Sequence, residues 1–206
     1  MTARRTKLLW TAACALGTLA GALAAVAVVP SGGFARTPTG QLGDHLVVFA
    51  VVLGMVLAIP QWALLRHLAL SSGRSDTGLL LLWGPAVCVG FVLMLLPLYS
   101  VDASDVIAPW ILVPAVLPGV FGLGLAQWYV LKLVFPVPFS WVGWTLAGTV
   151  LGAIIGAFVG VLFGSPETLI FGGGGRSGSM EAIWGLVTGL FMGLAQAGTL
   201  VKAVRG

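Results

Sequence analysis

Three glutamines lie in apolar surroundings. Gln61, Gln127 and Gln196 fall in the segments Pro60-Gln61-Trp62-Ala63-Leu64-Leu65-Arg66, Ala126-Gln127-Trp128-Tyr129-Val130-Leu131-Lys132 and Ala195-Gln196-Ala197-Gly198-Thr199-Leu200. A carboxamide offers two donors and an acceptor without carrying charge. Away from water it must find partners for them. Two uses follow from that chemistry. The amides can glue one helix to the next, at about 1 kcal/mol per bond in a bilayer. Alternatively, all three converge as a polar ring that takes a headgroup, a small polar solute or water.

Other polar residues promise less. His45 and His67 are 22 positions apart, roughly 33 Å along a helix, too far to share a haem or metal. They read as solvated histidines. Asp102 and Asp105 precede an apolar run and read as helix caps. The stretch Gly172 to Gly178 lacks the G-K-[S/T] ending of a phosphate loop and reads as a linker. Cys14 and Cys88 sit in separate apolar runs with no metal or redox spacing, so both are expected to be reduced, buried small hydrophobes. No ionisable residue falls mid-span, where a coupled pump or voltage sensor would carry one. Without a nucleophile-base pair or a metal set, the expectation is a non-enzyme.

The elements that hold these residues follow from composition. The chain has 206 residues, 59% apolar and 8% charged, with a mean hydropathy of +1.08. That is too much apolar surface for a water-soluble core and implies an all-α polytopic membrane bundle. A pI near 9.6 could suggest nucleic acid, but the basic residues are scattered near helix ends without interleaved aromatics, so no nucleic-acid partner is expected. Six apolar runs are long enough to cross: Leu8 to Val29, His45 to Leu65, Thr77 to Leu98, Pro109 to Leu131, Trp141 to Gly164 and Glu181 to Val201. The first follows a basic start that resembles a secretory signal. Its length of about 22 residues exceeds a signal h-region, which argues for a retained helix.

The predicted connections on one side hold Arg4, Arg5, Lys7, Arg66, Arg74, Lys132, Lys202 and Arg205, and those on the other only Arg36 and Arg176. Eight against two places both termini in the cytoplasm, in a bacterial inner membrane. Prolines interrupt some runs (Pro60, Pro85, Pro114, Pro118) and are expected to be packed kinks.

Repetition organises the rest. Trp10 and Gly17, Trp83 and Gly90, and Trp141 and Gly148 share one seven-residue spacing near the starts of the odd runs, while the glutamine segments close the even ones. One hairpin copied three times fits, over about 8-67, 77-132 and 140-202 of a single membrane domain. Trp10, Trp62, Trp83, Trp128 and Trp141, with Arg66 and Lys132, are expected to anchor helix ends among lipid headgroups.

Gly148, Gly152, Gly156 and Gly160 recur every fourth residue on one helix face, as do Gly17/Gly21 and Gly185/Gly189/Gly193. Such grooves let helices approach closely in lipid, and they are expected to be more numerous than one small bundle needs. The segments A-Q-W-x-x-L-[R/K] resemble those of a group of uncharacterised glycine-rich bacterial multi-pass membrane proteins, a resemblance that implies no activity. The leading expectation is therefore an accessory or structural subunit of a larger membrane complex, or a lipid- or pigment-contacting scaffold, with membrane lipids and other membrane subunits as partners. The alternative is a small channel or facilitator for a polar solute, with Gln61, Gln127 and Gln196 as its constriction and the proline-bearing helices as its gate.

Overall fold

The computed structural model describes residues 1–28, 42–74, 77–95, 109–163 and 178–205, with only the backbone described over 42–46, 95, 109–116, 157, 160–163 and 178–182. These residues are helical throughout, apart from short turns. The helices are α1 (Ala3–Val28), α2 (Leu42–Ser71), α3 (Trp83–Leu95), α4 (Pro109–Val134), α5 (Ser140–Phe163) and α6 (Gly178–Arg205), with a 3-10 helix at Thr77–Leu82 leading into α3. Asp102, Asp105, Arg36, Arg176, Gly164 and the glycine loop to Ser177 lie outside the described residues, as do the side chains of His45 and Trp110 and the surroundings of Gly160.

Five stretches are long and apolar enough to cross a membrane: Ala3–Val28, Val47–Ser71, Thr77–Met94, Leu117–Val134 and Ile183–Arg205. The chain is a multi-pass membrane protein. In α5 the described apolar stretch is the shorter Ser140–Gly156. Helices suit such an interior because they satisfy their own backbone groups where lipid cannot. Local sequence sets the ends. The Thr2 hydroxyl accepts from the Arg5 N–H at 3.3 Å and caps α1. Gly73, at φ 72°, closes α2: the Arg74 N–H reaches the Ala69 carbonyl and the Gly73 N–H the Leu70 carbonyl. Pro85 lies in the first turn of α3, where a missing N–H costs nothing, and Pro60 packs against α1 at Gly17.

Each helix packs on its neighbour in the chain and α6 closes on α1, giving a ring of six. Large apolar side chains such as Leu8, Leu16, Met55, Leu81, Val89, Ile154 and Leu194 point outward, the arrangement a lipid surroundings demands. The crossings within α1–α2, α3–α4 and α5–α6 share one register. Seven residues after Trp10, Trp83 and Trp141 stand Gly17, Gly90 and Gly148, and they meet Leu57, Leu123 and Met192, each four residues before its helix's glutamine. One turn further on, Gly21 meets Leu53, Gly119 meets Met94 and Gly152 meets Thr188. Each second contact thus has one glycine, contributed in the middle pair by the opposite helix.

These contacts correct one sequence expectation. The glycine faces are not surplus: Gly17 and Gly21 are filled by α2, Gly148, Gly152 and Gly156 by α6, and Gly185, Gly189 and Gly193 by Ala22, Thr18, Cys14 and Thr11 of α1. A Cβ on Gly148 would stand 2.8 Å from the Met192 Cα and one on Gly152 2.7 Å from the Thr188 Cα. Backbone approaches this close replace the hydrophobic drive that lipid removes.

Candidate functional site

Near the end of the bundle that carries the chain termini, Trp10, Trp83 and Trp141 come together. All three are wholly buried, and Trp10 meets Trp83 edge-on at 6.2 Å and Trp141 at 5.8 Å. The expectation that these three anchor in headgroups is overturned, because an anchor must touch lipid and these indoles face one another. Trp62 and Trp128 differ. Half-buried at the bundle rim, they carry Arg66 and Lys132 over their rings at 5.5 and 4.8 Å. Four residues along a helix places cation over indole. The Trp128 indole also donates to the Val137 carbonyl at 3.1 Å, which fastens the turn into α5.

Gln61, Gln127 and Gln196 are also wholly buried and join this cluster. The Trp10 indole donates to Gln196 Oε1 at 3.2 Å and the Trp83 indole to Gln61 Oε1 at 3.1 Å. Gln196 Nε2 donates to Thr145 Oγ1 at 2.8 Å and to Gln127 Oε1 at 3.0 Å, while Gln61 Nε2 meets Cys14 Sγ at 3.2 Å. The amides are therefore connected through indoles, with only Gln127 and Gln196 bonded directly. Indoles occupy the space between them, which is a different object from the open ring the spacing allowed.

Cys14 is free and buried as expected and, besides filling space, accepts a hydrogen bond, whereas Cys88, also expected to be buried, is only half-buried. Thr145 passes its own proton to the Trp141 carbonyl at 2.9 Å, so its oxygen is free to receive Gln196. Sequence reasoning missed both acceptors, although a signal was present: each stands one turn after a repeat tryptophan. The matching position one turn after Trp83 is Val87, which is wholly buried and accepts nothing. Two buried donors lack a partner in this cluster, Gln127 Nε2 and Trp141 Nε1.

At the same end, Arg74 Nη1 donates to the Val134 carbonyl at 2.8 Å and its guanidinium lies over the Phe135 ring at 5.2 Å. This ties the end of α2 to a carbonyl in the last turn of α4, where helical partners run out. His67 is exposed on α2, and among the described residues no three His, Cys, Asp or Glu side chains gather as a metal set would.

Fold and cluster together define a class: a multi-pass helical membrane protein with a closed tryptophan-glutamine core. No protein-family model matches the chain, and neither does any curated protein or solved structure.

Proposed function

We propose that the protein is a non-enzymatic membrane protein, an accessory or structural subunit of a larger membrane complex or a lipid- or pigment-contacting scaffold. In this reading three copies of one hairpin form the bundle, and the bias of basic residues puts both termini in the cytoplasm of a bacterium like those whose glycine-rich multi-pass proteins it resembles. The shared register of the three helix pairs supports the repeat.

The observation that carries the function is the distribution of aromatic side chains on the outside. Among the described residues every exposed Phe, Tyr or Trp (Phe121, Tyr129, Phe139, Trp144 and Phe158) belongs to α4, α5 or the turn between them. Trp144, Leu151 and Phe158 follow at intervals of seven, one stripe along α5. The remaining helices present Leu, Val, Ile and Met to lipid. Large flat side chains concentrate contact energy at interfaces, so the partner face is assigned to α4–α5 in place of the glycine grooves.

Native mass spectrometry after gentle extraction, with an absorption spectrum of the same sample, tests this. Stoichiometric subunits or a coloured cofactor are expected, and they should be lost from the Trp144→Ala/Phe158→Ala double variant while the bundle stays folded. A chain that emerges alone and colourless removes the proposal. The facilitator alternative would then be taken up through solute flux in liposomes with Gln61, Gln127 and Gln196 changed to Leu. It has less support, since its constriction is packed with indoles.

A further inference from the structure

The α4–α5 seam repeats the register of the α6–α1 seam. Gly193, three residues before Gln196, lies against Thr11 and Cys14, which follow Trp10 by one and four. Gly124, three residues before Gln127, lies against Val142 and Thr145, which follow Trp141 by one and four. Gln127 therefore stands to Trp141 as Gln196 stands to Trp10, and Trp10 donates directly to its amide oxygen.

At the second seam that bond is missing, and the amide chemistry explains why. For Gln127 to offer Oε1 to Trp141 as Gln61 does to Trp83, its NH₂ would have to aim at the position one turn after Trp83. Cys14 and Thr145 are acceptors at the matching positions, but Val87 is not. Gln127 instead gives Oε1 to Gln196, so its own NH₂ and the Trp141 N–H are both unpartnered though wholly buried. Two uncompensated donors inside a membrane protein are costly, and one acceptor between them relieves both.

We propose that the α4–α5 seam holds a water molecule between Trp141 Nε1 and Gln127 Nε2. Its oxygen accepts from both donors, and Thr145 Oγ1, one turn from Trp141, has a lone pair left for one of its hydrogens. Three polar partners are the usual number for a buried water. Water suits the site better than an anion, since the donors are neutral and no described cation faces them. The other two copies are closed by direct bonds and stay dry. The seam that bears the exposed aromatics is thus also the one that holds this water.

The test uses the intact protein in lipid nanodiscs with ¹⁵N-labelled indoles and through-space transfer from water to each indole N–H, assigned by Trp141→Phe. A water cross-peak is expected at Trp141 and none at Trp10 or Trp83. Its absence at Trp141 overturns the proposal, and so do cross-peaks at all three, which would make the whole cluster wet. Val87→Thr gives Gln127 the acceptor it lacks. The Trp141 cross-peak should then vanish and its N–H resonance move toward those of Trp10 and Trp83, whereas an unchanged cross-peak would sink the explanation.

Discussion

The α3–α4 pair crosses in the same register as α1–α2 and α5–α6, yet different forces hold it. The outer two pairs each have a polar bond between their helices, Gln61 to Cys14 and Gln196 to Thr145. The middle pair has Val87 opposite Gln127 and no such bond. What it has is the closest backbone approach: a Cβ on Gly119 would fall inside the backbone of Met94, and one on Gly90 would stand 2.8 Å from the Leu123 Cα. In the outer pairs the backbone comes within 2.8 Å of a Cβ on Gly21 or Gly148 and 2.7 Å of one on Gly152, while one on Gly17 first meets the side-chain ends Leu57 Cδ1 and Pro60 Cγ at 3.0 and 3.1 Å. One crossing geometry is thus reached with close packing and a polar bond in the outer pairs, and with the closest packing and no glutamine bond in the middle one.

The largest effect expected is the loss of that close packing. Gly119→Leu should cost about 3 kcal/mol or more, because backbone cannot yield as a side-chain tip can. Gly143, which has nothing within 4 Å of its added Cβ, is the control, and Gly143→Leu should stay within about 0.5 kcal/mol. Unfolding in dodecyl sulfate, followed by tryptophan emission, measures both. Equal effects would remove the distinction between seam and surface glycines.

Next comes the polar bond of an outer pair. Gln196→Leu removes the acceptor of Trp10 and the donor to Thr145 and Gln127, leaving a buried indole N–H unpaired. About 2 kcal/mol should be lost in the same titration. A loss as small as that of Gly143→Leu would mean that packing alone holds all three pairs.

Much of this organisation was legible in the sequence because it is written in period and spacing. Helices and their order follow from apolar runs, and the matched tryptophan, glycine and glutamine positions from repeated intervals. The direction of side chains was not legible. Trp10 and Trp128 both sit near helix ends beside basic residues, yet one is at the centre of the bundle and the other on its rim. Only the way neighbouring helices turn toward each other separates them. Glycine spacing likewise marked the faces that would be contacted without saying by what, and the contacts proved internal. The identity of Val87 carried information that no pattern of apolar residues could reveal, since a valine in an apolar run is unremarkable until its equivalents are seen to accept hydrogen bonds.

Val87→Thr should sharpen the comparison by making the middle pair like the others. Its hydroxyl can donate to the Trp83 carbonyl one turn back, as Thr145 does to Trp141, and accept from Gln127 Nε2. A gain of about 1 kcal/mol in resistance to dodecyl sulfate is expected. Destabilisation would show that Gln127 cannot turn to meet it.

The smallest effect is reserved for Gln127→Leu, and its smallness is the point. In the outer pairs a glutamine is the hub of its site, but Gln127 contributes only an acceptor to Gln196 Nε2, which keeps Thr145 as a second partner when that acceptor is gone. The substitution also deletes an NH₂ that has no protein partner. Each loss is partly replaced, since Gln196 keeps Thr145 and the proposed water keeps Trp141 and Thr145, so the net change should lie within about 0.5 kcal/mol, where the same replacement at Gln196 costs several times more. A large loss at Gln127 would instead make the middle glutamine as central as its two counterparts, and the three copies would have to be regarded as one cooperative network and not as two complete sites beside an incomplete one.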